Sequence, residues 1–186
     1  MAKPRPMARQ ALLSAFAGES MAHMRYLVFA ERADREGYPN VARLFRAVAY
    51  AEQVHAGNHY NRLREFDEDA EVYAGTPLGP GNASKNLSLA IRGEEFEVEE
   101  MYPAYIAVAE AQGDRASATS FKWALEAEKI HAELFKEAKK HVDKGEDMPL
   151  TGKIWICPVC GYTYIGSRPP ERCPICGALG EKFKGF

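Results

Sequence analysis

Glutamate followed three residues later by histidine occurs twice in helix-like surroundings, in "AYAEQVHAGNHY" (residues 49–60) and in "EAEKIHAELF" (residues 126–135). At that spacing Glu52 and His55 project from nearly one side of a helix, as do Glu128 and His131. Both pairs are embedded among Ala, Val, Ile and Leu, so neither belongs simply to a wet face. Two further glutamates, Glu19 and Glu94, occupy corresponding places in the segments preceding each pair. One Glu from each of two helices, with Glu-x-x-His from each of two others, is a constellation that holds two metal ions in a bundle core. Bare carboxylates in a core are costly and mostly protonated, and two cations remove that cost. Oxygen-rich ligation with a little imidazole and no sulfur suits iron or manganese better than copper. In "RGEEFEVEEMYP", Glu97 lies three residues after Glu94 on the same face and adds a fifth carboxylate, whereas Glu95, Glu99 and Glu100 read as solvated.

A second constellation closes the chain. "ICPVCGYTYIG" and "RCPICGALG" supply Cys157, Cys160, Cys173 and Cys176, and the first 156 residues contain no cysteine. Four thiolates make a closed tetrahedral site for one iron or one zinc, a spacing that serves both, in a reducing compartment. Gly161 and Gly177, each just after a pair, permit the tight loops that aim backbone N–H groups at sulfur. So short a segment cannot build an adequate core alone, so the metal must contribute to its folding.

The elements that position these residues follow from the periodicity. From about Ala8 to Val142 apolar residues recur every three or four positions, predicting helices over residues 8–36, 41–66, 85–112 and 115–143. Each would be about 40 Å long at about 1.5 Å per residue, the scale of a four-helix bundle. Gly37-Tyr38-Pro39-Asn40 breaks the first pair, and Gly113 followed by Asp114 reads as a stop and then an N-cap. "GTPLGPGNASK" cannot continue a helix, so a long crossover joins two hairpins. The expected organisation is a bundle over residues 1–146, a linker over 147–152 and a small metal domain over 153–186.

The two hairpins repeat. A shift of 76 places Tyr26 on Tyr102, Gly37 on Gly113, Glu52 on Glu128 and His55 on His131, but Gly18-Glu19 falls on Gly93-Glu94 with a shift of 75. One residue is therefore extra between Glu94 and Tyr102, which predicts a π-bulge there. Tyr26 and Tyr102 either hydrogen-bond the metal carboxylates or pack the core. His23, His59 and His141 have no repeat partner and read as structural or exposed.

The net charge of −2 gives no reason to expect nucleic acid or an anionic membrane as partner. No apolar run is long enough to span a bilayer. "MAKPRPMARQ" followed by "ALLSAFA" imitates a signal peptide, with Ala15-Phe16-Ala17 as its cleavage site. Its apolar part is short and contains Ser14, so Met1 to Arg9 reads instead as a basic, flexible arm leading into a helix.

Taken in order, "GESMAHMRY", "AEQVH", "GEEFEVEEMYP", "AEKIHAELF", "CPVCGY" and "CPICG" resemble the rubrerythrin family over nearly the whole chain. The resemblance implies an all-α ferritin-like bundle holding two non-haem irons, followed by a rubredoxin-like four-cysteine iron site. It implies a cytoplasmic homodimer that reduces hydrogen peroxide, fed by an NAD(P)H-dependent reductase or by rubredoxin as electron donor. By motif, Glu52 and Glu128 would bridge, Glu19 and Glu97 would lie on one iron, and Glu94 with His131 on the other. His55 would replace Glu97 when the site is reduced. That exchange removes one carboxylate as the metals lose charge, keeping a poorly screened interior near neutrality. The cysteine site is expected beside the partner's bundle in a head-to-tail dimer, its own bundle being too distant.

Overall fold

The computed structural model describes residues 3–186; Met1 and Ala2, the first residues of the expected arm, lie outside them. The helical part comprises α1 (Pro6–Arg35), α2 (Pro39–Asn61), α3 (Ala83–Phe96), a π-helical turn (Glu97–Met101), α4 (Tyr102–Ala111) and α5 (Arg115–Val142). The arm is shorter than expected. Pro6 opens α1, where its missing N–H costs nothing, and Ala11, Leu12, Leu13 and Ala15 are buried in the bundle. The second helix stops at Asn61, a turn earlier than its periodicity suggests. Asp114 caps α5 as expected, its carboxylate accepting from the Ser117 N–H at 3.1 Å.

Helix α1 pairs with α2, and α3 with α4 pairs with α5, the irregular crossover joining the pairs. The apolar core is split into two clusters. Along α1, Ala11–Ala15 belong to one and Ala22–Ala33 to the other, and Glu19 lies between them. The same holds for Glu52 between Ala51 and Leu63, for Glu94 between Ala90 and Met101, and for Glu128 between Ala124 and Phe135. Every helix pair thus contributes its acidic residues to one polar layer across a dry bundle.

The π turn explains the break in the repeat. Seven residues separate Glu19 from Tyr26, close to two α-helical turns, so both face the core. Eight separate Glu94 from Tyr102, and the wider turn absorbs the extra one while keeping both inside.

The last residues form a small antiparallel sheet of β1 (Lys153–Ile156), β2 (Thr163–Gly166) and β3 (Lys184–Gly185) in the order β2-β1-β3. Ile154 and Ile156 are fully buried in the same cluster as Phe45 and Phe135, so the sheet is packed onto the bundle. Asp147 fastens the connection. Its carboxylate accepts from the Asn40 and Val41 N–H groups at 2.8 and 3.1 Å, capping α2 from outside its own sequence.

Candidate metal centres

In the polar layer, ligand atoms of Glu19, Glu52, His55 and Glu128 lie within 4.8 Å of one another, and so do those of Glu52, Glu94, Glu128 and His131. Glu52 and Glu128 belong to both groups. All six residues are buried. One oxygen of each glutamate is occupied: Tyr102 donates to Glu19 Oε1, Tyr26 donates to Glu94 Oε1 at 2.5 Å, and Glu52 Oε2 and Glu128 Oε2 face their own histidines' Nδ1 at 3.0 and 2.6 Å. Both tyrosines therefore hold carboxylates as well as packing the core. The other oxygen of each (Glu19 Oε2, Glu52 Oε1, Glu94 Oε2 and Glu128 Oε1) is buried without a hydrogen bond. His55 Nδ1 makes an ion-pair contact of 2.7 Å with one of them, Glu128 Oε1. Four buried carboxylate oxygens lacking donors, gathered around two inward-facing imidazole nitrogens, fit a pair of cations that share two carboxylates.

Protonation in the metal-free chain points the same way. Burial and the Glu52 charge push Glu19 up to about 8, and burial followed by neighbouring carboxylates pushes Glu94 and Glu97 well above the usual range. Burial opposes the charged form of His131, but the Glu128 carboxylate outweighs it and holds the ring at about 9; His55 is raised for the same reason. Each of these groups keeps protons that the unfolded chain has already released, from a carboxylate near 4.5 or an imidazole near 6.5. Stability of the chain lacking bundle metals is therefore expected to fall as pH rises from about 4.5 through about 9. The lowered Glu52 and Glu128 act in the opposite sense, and only as pH falls below about 4.5. Thermal unfolding between pH 5 and 9 checks this, and added ferrous or manganous ion should reverse the decline.

Glu97 belongs to neither cluster. It opens the π turn, half-buried, on the wall of a cavity of about 500 Å³ roofed by Tyr73–Pro77 of the crossover. Among the charges acting on it, that of Glu19 is the largest. The structure thus has His55, and not Glu97, completing the Glu19 cluster. Glu99 and Glu100 are exposed, and Glu95 pairs with Lys136 at 3.0 Å on the surface.

The four cysteine sulfurs converge, with Cys157 and Cys176 Sγ 3.6 Å apart and Cys160 and Cys173 Sγ 3.4 Å apart. A tetrahedral ion with bonds of about 2.3 Å sets sulfurs about 3.8 Å apart, so the group fits one metal. The Cys160 thiol, with the backbone N–H groups of Val159 and Cys160, holds Cys157 down at about 5 against its burial.

The distance expected between the two centres is corrected by the structure. Because Ile154 and Ile156 anchor the sheet on the chain's own bundle, both histidines touch the cysteine module. His55 Nε2 donates to the Cys160 carbonyl at 3.1 Å. His131 Nε2 donates to Thr163 Oγ1 at 2.8 Å, and Thr163 in turn donates to the Gly161 carbonyl at 3.2 Å. These bonds keep a proton on each Nε2, so that Nδ1, facing the carboxylates, is the nitrogen that gives up its proton when a metal binds.

His59, read from the sequence as structural or exposed, is structural. It is fully buried, with Nε2 3.0 Å from the Tyr102 hydroxyl and Nδ1 2.9 Å from Ser120 Oγ. Its i+4 spacing from His55 was the available signal. His23 and His141 are partly exposed, bonded to the Ala49 carbonyl and paired with Glu137.

Two family models match the chain, "Rubrerythrin" over residues 10–139 and "Rubrerythrin, rubredoxin-like domain" over residues 155–184. Rubrerythrin-2 of Clostridium acetobutylicum is 47% identical over 175 residues, covering 94% of each chain. Nigerythrin of Nitratidesulfovibrio vulgaris is 36% identical, covering 94% of this chain and 84% of its own. The structure of fully reduced, all-ferrous nigerythrin superposes with a TM-score of 0.84 at 34% identity, covering 96% of this chain and 86% of that one.

Proposed function

The chain belongs to the rubrerythrin family, and from that premise we propose that it is a non-haem diiron peroxidase, reducing hydrogen peroxide to water in oxidative stress defence. Its working parts are a bundle over residues 1–146, a linker over 147–152 and a rubredoxin-like domain over 153–186. Glu52 and Glu128 would be shared between two irons, Glu19 and Glu94 would each serve one of them, His131 would serve the Glu94 half, and His55 would exchange with Glu97 on the Glu19 half. Cys157, Cys160, Cys173 and Cys176 hold the third iron.

When bound, the ferrous pair supplies the two electrons that reduce peroxide, and thiolate-held iron returns them singly. The chain's own residues do the rest. The cavity beside Glu97 brings peroxide to the one acidic ligand outside both clusters, so the carboxylate that moves is the one facing solvent. Tyr26 and Tyr102 hold the terminal carboxylates by their outer oxygens and leave the inner ones free for metal. The observation that carries the reading is His55, whose Nδ1 lies among the shared carboxylates while its Nε2 is bonded to the Cys160 carbonyl. One imidazole thus connects the cysteine site to the bundle centre, as an electron path requires and an iron-oxidising or purely structural protein does not.

We place the protein in the cytoplasm as a homodimer, with an NAD(P)H-dependent reductase or rubredoxin as its electron donor. Among the described residues no helix is long and apolar enough to cross a membrane. The test is anaerobic rapid mixing of the fully reduced protein with hydrogen peroxide and, separately, with oxygen, following the red colour of thiolate-bound ferric iron. Recolouring should be fast with peroxide and slow with oxygen. If colour never develops, or oxygen reacts as fast, the reading fails in favour of an iron-oxidising role.

A further inference from the structure

The two halves of the bundle centre are not equivalent, and besides Glu97 one difference lies behind the tyrosines. In the Glu94 half, Tyr26 packs edge-on against Phe135, with ring centroids 5.2 Å apart. In the Glu19 half, the repeat counterpart of Phe135, 76 residues earlier, is His59. Nothing in the reaction derived above uses this histidine.

Its hydrogen bonds have only one consistent direction. A metal-bound Glu19 carboxylate accepts only, so the Tyr102 hydroxyl must donate to it. The phenol oxygen must then accept from His59 Nε2–H. A ring with its proton on Nε2 offers a lone pair on Nδ1, which accepts from the Ser120 hydroxyl. Ser120, His59, Tyr102 and Glu19 therefore form a single donor chain, all of it buried. An N–H donated to a phenol oxygen strengthens that phenol as a donor in turn. Glu19 is thereby held more firmly by protein, and gives less charge to metal, than Glu94, whose tyrosine is packed by Phe29, Phe45, Phe135 and the Arg25 guanidinium, with a phenylalanine in the place of the donating histidine.

We propose that His59 is a positioning residue that makes the Glu19 half the looser of the two, and so the half at which His55 and Glu97 exchange. The inference rests on the reading of the bundle as a diiron centre. It predicts unequal reduction of the two irons, read as accumulation of the half-reduced, mixed-valence pair during an anaerobic redox titration of the full-length, iron-loaded protein. The EPR signal of that pair is distinct from the signal of thiolate-bound ferric iron.

His59→Phe rebuilds the other half's arrangement. It should lower the mixed-valence yield at half-reduction about threefold to tenfold, the worth of one buried hydrogen bond. His59→Gln can still donate to Tyr102 and should keep most of the signal, which a merely space-filling role would not explain. The proposal is overturned if His59→Phe leaves the yield unchanged, or if glutamine and phenylalanine variants lose it alike. Should the phenylalanine variant fail to fold, His59→Leu against His59→Gln makes the same comparison. Failure of the wild-type bundle to bind two irons would instead overturn the diiron reading itself.

Discussion

Replacing Glu128 by glutamine should empty both halves of the bundle centre while leaving the four-cysteine iron in place. Glu128 is common to both ligand groups, with Oε2 2.6 Å from His131 Nδ1 and Oε1 2.7 Å from His55 Nδ1. Glutamine keeps the shape but offers one neutral oxygen where two charged ones served two ions. Glu52→Gln should behave alike, because Glu52 is the other shared residue. Glu19→Gln and Glu94→Gln each touch a single group and should cost one ion and not two. The loss also reaches the protein without metal. Two buried imidazoles would lose their nearest counter-charge, and breaking a buried pair of this kind destabilises by on the order of 3 kcal/mol. Iron per chain, peroxidase turnover and thermal unfolding of the stripped protein are the measurements. Two irons retained in the bundle of Glu128→Gln would refute the sharing.

The gathering of these six residues in one layer was largely legible in the sequence. Glu19, Glu52, Glu94, Glu128 and both paired histidines declare themselves because an internal repeat makes each one predict its counterpart. The same repeat located the π turn, since a change of shift from 75 to 76 has to be absorbed within the helix. Where a residue has no counterpart, that reasoning is silent. His59 was set aside for lacking one, although replacement of a phenylalanine by a histidine at an equivalent buried position is itself a signal of asymmetry. The placement of the cysteine module was not legible either. It depends on β1, which carries Ile154 and Ile156, packing against α2, about a hundred residues earlier in sequence, and periodicity carries no such long-range information. Asp147 capping α2 is a further case, because a cap recruited across the chain leaves no local pattern.

That placement leads to the sharpest separation of structure from electron flow. Gly161 and Gly177 follow the two cysteine pairs with almost the same left-handed backbone, φ +80° and +77°. In each loop the glycine N–H returns to the first cysteine's carbonyl, at 3.0 and 2.9 Å. Alanine at either position carries the same conformational penalty, about 1 kcal/mol. Their surroundings differ. A Cβ on Gly161 would stand 2.0 Å from His55 Nε2 and 2.7 Å from its Cδ2, whereas a Cβ on Gly177 meets nothing within 4 Å. Gly161→Ala must therefore displace either the loop or the His55 ring, and either movement breaks the bond to the Cys160 carbonyl. Gly177→Ala strains its loop and leaves that contact alone. Both variants should bind iron and be red. Only Gly161→Ala should slow electron passage between the centres, on the order of 100-fold, the scale of loss that about an ångström of misplacement can produce. The rate at which colour returns on mixing the reduced variants with peroxide gives the comparison directly. Equal slowing in both would assign the effect to loop strain, and no slowing in Gly161→Ala would mean that electrons do not pass through the His55 contact.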